Sequence, residues 1–213
     1  MDWDAIFFDC DGVILDSVDT KTKAFEKIFL PYGEDNKKRG VKYHLQNGGI
    51  SRFDKFRYFF TKILGRKISN NEIESIGALF TQYALDGVLK APYIEGAIET
   101  IKELHTLNIK TYVVSGTPDD ELKIIFNKKN LAKFFNEIHG SPKTKNEIIN
   151  DIINRNNYHC KRCLFVGDAM TDYNAAVNTG MSFIGIVKKN EISPFPKDTV
   201  VHSKISINNI LTI

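Results

Sequence analysis

The sequence predicts an α/β fold, a parallel sheet covered by helices on both faces, with an all-helical unit inserted near its start. Three observations predict it. Short β-branched and aromatic runs alternate with helix-period segments from residue 92 onward. An isolated run of the same kind, Ala5-Ile-Phe-Phe8, stands near the N-terminus. Between residues 18 and 91 the alternation stops and only helical patterns remain. Strands joined through helices run parallel and are buried on both faces, because each crossover lays a helix on the sheet.

The first strand is expected over 5–9, bounded by turn residues. Helices follow at 18–30, 36–46, 51–64 and 70–86, broken at Pro31-Tyr-Gly33, Gly48-Gly49 and Gly65. A further helix over 94–107 carries Ile94, Ala97, Ile98, Ile101 and Leu104 at helical spacing. Strands are then expected at 110–115, 136–139, 163–167 and 182–187, with helices at 119–129, 144–156 and 170–179 between them. A sixth strand has a weaker signal near Thr199–His202, inside the Asn/Ser/Ile-rich stretch after Pro196. Asn108 and Gly180 sit where helices stop, as residues that tolerate a left-handed backbone. The division that follows is a core of residues 1–17 and 92–213 and an inserted helical unit of 18–91.

Composition narrows the partners. At 213 residues and 42% apolar content, the chain can bury a substantial core as one domain plus an insertion. A net charge of +3 suits an anionic substrate without calling for nucleic acid. No basic run, RNA-binding signature or zinc-finger spacing supports a nucleic-acid partner. No stretch approaches about 20 apolar residues and the N-terminus lacks a secretory pattern, so no membrane partner and a cytoplasmic location are expected. Cys10, Cys160 and Cys163 are too few for a disulfide framework. The C-x-x-C of His159-Cys160-Lys-Arg-Cys163 lacks a second ligand pair and is read as structural. Oligomeric state leaves no readable mark.

Four polar clusters fall at strand ends. The first is Asp9-Cys-Asp11-Gly12: a strand ends on two carboxylates, and Gly12 lets the chain bend so that both can converge. One can attack an electrophile while the other moves protons and a hard cation offsets their repulsion. A calcium loop or a capped turn also fits this segment alone. The second is Ser115-Gly116-Thr117-Pro118, where a hydroxyl and free backbone N–H groups can cradle phosphate, or where Ser115 or Thr117 caps the next helix. The third, Lys143-Thr-Lys145, opens a helix with lysines that either neutralise phosphate or stay solvated. The fourth is Gly167-Asp168 followed by Asp172, a metal-ligand position with a second acid one helical turn on; Asp168 as a simple helix cap fits too.

Together and in this order, the four clusters resemble the haloacid dehalogenase superfamily in its phosphatase branch, over nearly the whole chain from Asp4 to about Ile186. The resemblance implies a Rossmann-like core whose strand ends form the site, with the inserted helices as a cap that closes over it. It implies Asp9 as the nucleophile that takes the phosphoryl group and Asp11 as the acid and then the base. Magnesium is implied at Asp9, the Asp11 backbone carbonyl and Asp168, with Asp172 supporting the metal or the lysine. Ser115 and the Gly116 amide are implied as phosphate ligands. For the lysine, Lys143 and Lys145 both match members of the family, and Lys145 is preferred because it opens the helix.

Within the insertion, Gly48-Gly49-Ile50-Ser51-Arg52 resembles the Gly-x-Ser-Arg cap loop of β-phosphoglucomutase-like and phosphoglycolate-phosphatase-like members. Gly49 permits a tight turn, Ser51 can cap the next helix, and Arg52 offers a fork to phosphate or carboxylate, ahead of Lys55. The function expected is a Mg2+-dependent phosphatase acting on a small anionic phosphorylated metabolite such as phosphoglycolate or a sugar phosphate. A sugar phosphomutase is the alternative; Lys21 stands where mutases of this type carry a histidine, which weakens it. Asp11 speaks against a dehalogenase, and nothing singles out Lys55 as the imine-forming lysine of a phosphonate hydrolase. A non-catalytic binding protein on the same fold is the alternative of another class, although every catalytic position is filled by a competent residue.

Overall fold

The structure is a computed structural model that describes residues 3–212. It opens with strand β1 (Ala5–Phe8), after which the insertion supplies helices α1 (Val18–Phe29), α2 (Glu34–Gln46), α3 (Arg52–Tyr58) and α4 (Asn70–Lys90). The core then resumes with α5 (Ala97–Thr106), β2 (Lys110–Pro118), α6 (Asp119–Lys128), β3 (Glu137–Ser141), α7 (Lys145–Asn156), β4 (Cys163–Gly167) and α8 (Met170–Thr179). It closes with β5 (Ser182–Ile186), β6 (Val201–His202) and α9 (Ile207–Leu211). The strands form one six-stranded sheet in the order β3-β2-β1-β4-β5-β6, and every neighbouring pair is parallel. The expected α/β architecture is the one observed, including the short sixth strand.

Strand periodicity sorts the core. Ile6 and Phe8 join Val113, Leu164 and Val166 in one apolar cluster under α5, α6 and α9. Ala5 and Phe7 point the other way, with Tyr112, Val114 and Phe165, against α7 and α8. Successive side chains of a strand face opposite ways, so each central strand feeds both clusters and reads as a continuous apolar run. The Trp3 indole, donating to the Ile210 carbonyl at 2.8 Å, ties the C-terminal helix to the start of the chain.

The insertion has an aromatic interior built from Phe25, Phe29, Phe56, Phe59 and Phe80. Here the expected helix over 51–64 divides. Regular α3 gives way to a π-helical turn over Phe59–Ile63. The wider turn lets adjacent Phe59 and Phe60 both be buried: Phe59 stacks on Phe29 at 3.9 Å, and Phe60 meets Tyr32 edge-on at 5.2 Å. Helix α4 starts at a reciprocal cap, Ser69 Oγ accepting from Glu72 N at 3.2 Å and Glu72 accepting from Ser69 N at 2.8 Å. It runs to Lys90, a turn beyond the expected end, because Ala84 and Val88 extend its buried face.

β2 also outruns expectation, staying extended through Ser115-Gly-Thr-Pro118, with Pro118 opposite Ser141 of β3. Helix α6 therefore begins at Asp119 without a side-chain cap, and neither Ser115 nor Thr117 caps it. Among the described residues, no helix is long and apolar enough to cross a membrane. Cys10, Cys160 and Cys163 are free thiols, and Cys163 is buried in β4.

Candidate active site

The strand order reverses at β1, which lies between β2 and β4, and the crevice at the C-terminal ends of these strands is where open α/β sheets bind ligands. Asp9, Ser115 and Asp168 arrive there from β1, β2 and β4. With the insertion packed above, they enclose a cavity of about 250 Å³ whose wall also includes Asp11, Lys21, His44, Arg52 and Lys55.

Gly12 makes the convergence possible. Its φ is +80°, and a Cβ there would stand 2.0 Å from Asp168 Oδ2. Carboxylate oxygens of Asp9, Asp168 and Asp172 come within 4.8 Å of one another. Burial, the largest influence, raises the Asp9 pKa to about 7 against the opposing charge of Lys145, and Asp172 and Asp11 push the same way. Burial and Asp9 likewise hold Asp168 well above the usual carboxylate range. Asp9 Oδ1 is buried and has no hydrogen-bond partner among the described residues. All-oxygen ligands, crowded negative charge and a buried carboxylate oxygen turned into the cluster fit a hard cation such as magnesium.

Of the two candidate lysines, Lys145 meets the carboxylates. Its Nζ lies 3.2 Å from Asp9 Oδ2 and donates to Asp172 Oδ1. Burial opposes its charge, but Asp172 and Asp9 outweigh that and lift its pKa above the ordinary lysine value. Lys143 is exposed, in the wall of a second, outer cleft. Asp172 is fully buried, and its other oxygen accepts from the Asp168 and Ala169 amides at 3.2 and 3.1 Å. It thus orients Lys145 and fixes the first turn of α8, so Asp168 is not the residue that caps this helix.

Asp11 is held by three donors: Ser17 Oγ at 2.5 Å, Thr117 Oγ1 at 3.1 Å and Lys21 Nζ. Burial disfavours its charge, yet Lys21 and these hydrogen bonds prevail and lower its pKa. Lys21 also donates to Thr117 Oγ1 at 2.7 Å. Sequence reasoning missed Lys21 and Thr117 as parts of the site. A signal existed for Lys21, since Val18, Lys21 and Phe25 share one face of α1 and all line the cavity. Ser115 is buried, its Oγ accepting from Thr117 N at 3.2 Å.

The cap loop sits against the core. A Cβ on Gly116 would stand 2.3 Å from the Gly49 carbonyl, and Thr171 Oγ1 donates to Gly48 O at 2.7 Å. Ser51 caps α3 through Phe53 N at 3.3 Å and reaches Ser141 Oγ at 3.5 Å. Arg52 is buried in the cavity wall, but its guanidinium is committed. Nη2 pairs with Glu121 of the core at 2.5 Å, Nη1 donates to Thr81 Oγ1 at 2.9 Å, and the Phe80 ring lies 4.5 Å away. Thr81 completes the triangle by donating to Glu121 Oε2 at 2.6 Å.

A parallel sheet with polar residues gathered at its strand ends and a helical cap over them defines a class of α/β hydrolase. The profile of the family described as haloacid dehalogenase-like hydrolase matches residues 6–186, and the chain belongs to that family. Among curated proteins, none matches this sequence. Solved structures do. β-Phosphoglucomutase from Clostridium difficile aligns at a TM-score of 0.78 and 18% identity, covering 99% of this chain and 96% of that one. CbbY from Rhodobacter sphaeroides in complex with phosphate aligns at 0.72 and 16%, covering 95% and 94%. The HAD-hydrolase YfnB from Bacillus subtilis bound to magnesium aligns at 0.72 and 18%, covering 100% of each. At these identities the likeness is one of fold.

Proposed function

We propose that this hydrolase is a Mg2+-dependent phosphomonoesterase that removes phosphate from a small anionic metabolite through a phosphorylated Asp9. The observation that carries the reading is the Asp9 carboxylate itself. One oxygen faces Lys145, and the other is buried beside Asp168 in the cavity wall, without a partner among the described residues. Asp9 and Asp168 are the side chains that would hold magnesium, with the Asp11 backbone carbonyl beside them. Bound there, the ion supplies positive charge to the carboxylate and the phosphoryl oxygens. The magnesium of YfnB and the phosphate of CbbY, on the same fold, support this choice.

In the first step an Asp9 oxygen bonds to phosphorus and the ester P–O bond breaks. The leaving alkoxide takes its proton from the Asp11–Lys21 pair, where an ammonium hydrogen already bridges the two groups. Water then attacks the acyl phosphate, returns a proton to the same pair and releases inorganic phosphate. Because Lys21 holds Asp11 as a carboxylate, Asp11 is ready as the base of the second step. In the first step the proton belongs to the pair. Ser115 and the Gly116 amide bind the phosphoryl oxygens, and Lys145 neutralises charge on Asp9 and the phosphate.

The test is phosphate release from a panel of phosphometabolites with magnesium and with EDTA. Chelation should silence turnover and magnesium restore it. Asp9→Asn should abolish activity without loss of fold, because the amide is nearly isosteric but does not attack phosphorus. Retention of more than a few per cent of wild-type kcat by that variant would exclude a phosphorylated Asp9.

A further inference from the structure

Lys55 and Arg52 are site cations that the catalytic steps above leave unused, and of the two Lys55 has no acidic partner among the described residues. Lys55 comes from α3, is 5% exposed, and lines the cavity. Lys145 pairs with Asp9 and Asp172, Lys21 with Asp11, and Arg52 with Glu121. Lys55 pairs with no carboxylate among the described residues. Its Nζ lies 3.0 Å from His44 Nδ1 and 3.4 Å from the His44 carbonyl, with the Phe25 ring 5.5 Å away.

The surrounding hydrogen bonds fix which way this contact runs. Thr22 Oγ1 donates its only proton to the Val18 carbonyl at 2.9 Å. At 3.1 Å from His44 Nε2 it therefore accepts, so the proton of the neutral ring sits on Nε2. Nδ1 is left with a lone pair, and Lys55 donates to it. Burial and the neighbouring charge of Lys55 hold the His44 pKa down at about 3, which keeps the ring in this neutral form. The chain from Val18 through Thr22 and His44 aims Lys55 and leaves its remaining donor capacity for the cavity. A buried cation without a counter-ion is costly, and an anion placed beside it offsets that cost.

We infer that Lys55, aimed by His44, binds a second anionic group of the substrate, a carboxylate or a second phosphate carried on the leaving alcohol. The inference rests on the phosphomonoesterase reading and deepens it by naming the substrate class. It also moves the cap's anion contact from Arg52, whose fork is closed by Glu121 and Thr81, to the lysine one turn along α3.

Two matched pairs of esters test it. 2-Phosphoglycolate is compared with ethyl phosphate, and propane-1,3-diol bisphosphate with propyl phosphate; the first pair probes a carboxylate and the second a phosphate. Wild type should prefer the anionic member of at least one pair by about ten- to a hundredfold in kcat/KM. Lys55→Met and Lys55→Gln, which remove a buried charge at nearly constant size, should each reduce that preference to within about twofold, with no fall in Tm. Arg52→Lys should keep it. His44→Asn preserves an acceptor near the Nδ1 position and should keep it as well, whereas His44→Leu should raise KM for the anionic ester several-fold and leave kcat within about twofold.

Loss of the preference in Arg52→Lys together with its survival in both Lys55 variants would overturn the assignment. So would a wild type that treats both members of each pair alike. If none of the four esters is hydrolysed, the phosphomonoesterase reading fails. Calorimetric titration of the same four compounds into the magnesium-loaded protein and its Lys55→Met variant then decides on the anion site through the ratio of Kd values.

Discussion

The floor and the roof of the cavity differ in how their charges are paired. On the floor, Asp9, Asp168 and Asp172 crowd around Lys145, and Asp9 keeps an oxygen without a partner among the described residues. There is more negative charge than the protein itself offsets. In the roof, an aromatic interior from α1, α3 and α4 carries Lys55 and Arg52, and among the described residues the only acid paired with either is Glu121, which reaches up from the core. The floor thus carries negative charge that the protein does not offset, and the roof holds a buried lysine, Lys55, whose pKa burial lowers to about 7. A metal ion and a substrate with two anionic groups would satisfy both halves together. Lys21 joins them, since it belongs to the first helix of the insertion yet holds Asp11 of the core.

The largest effect is expected at the contact between roof and floor. Arg52→Ala or Glu121→Ala each strands a buried charge and should cost about 3–5 kcal/mol in denaturant unfolding. The double variant should lose less than the sum, by about 1–3 kcal/mol. Additive losses would mean that this pair does not couple roof to floor.

Lys145 is next. Lys145→Met should lower kcat/KM by roughly 10²–10³, about 2.7–4 kcal/mol of transition-state stabilisation. Lys143→Ala, at an exposed position, should change it by about twofold or less. The reverse ranking would move the charge-neutralising role to Lys143.

The surplus of negative charge on the floor makes a thermal prediction. Burial raises the pKa of Asp9 from 3.8 to about 7 in the metal-free protein, so folding takes up a proton. Its stabilising contribution is full below the unfolded value and is lost as pH rises through about 7. Magnesium competes with that proton. Its effect on Tm should be larger near about pH 8 than near about pH 5, and at 100 times Kd it should supply about 2.7 kcal/mol where Asp9 is ionised. A magnesium effect that is absent, or larger at the lower pH, would contradict a cation-deficient floor. The smallest effect belongs to the roof's framework: Ser69→Ala removes the cap of α4 and should cost about 1 kcal/mol in unfolding. A large loss of kcat in that variant would tie the chemistry to cap stability more tightly than this structure implies.

Much of the floor could be read from sequence because its signals are local. A strand that ends on Asp9-Cys-Asp11-Gly12 needs only its own backbone to bend, and Gly12 indeed takes a positive φ under Asp168. Asp172 follows Asp168 by four residues, so helical geometry alone brings its oxygen to the Asp168 amide. The roof was harder to read. Lys55 was placed behind Arg52 because an arginine fork is the better anion ligand in general. That ranking could not foresee that Glu121, 69 residues away, closes the fork. The π-helical turn at Phe59 was also invisible, since a helical pattern does not say whether two adjacent aromatic residues will both be drawn inside.

The parallel sheet, the helical insertion and the four polar clusters at strand ends are legible in the chain alone. Each follows from the spacing of apolar residues and from turn chemistry within a few positions of the chain. Which charges meet depends instead on long-range packing. It sets Lys145, and not Lys143, against Asp9 and Asp172, brings Lys21 to Thr117 across 96 residues, and leaves Lys55 without a carboxylate among the described residues. The physical reason is that the strength of a charge interaction depends on distance and on exclusion of water, and the packing of the whole fold sets both.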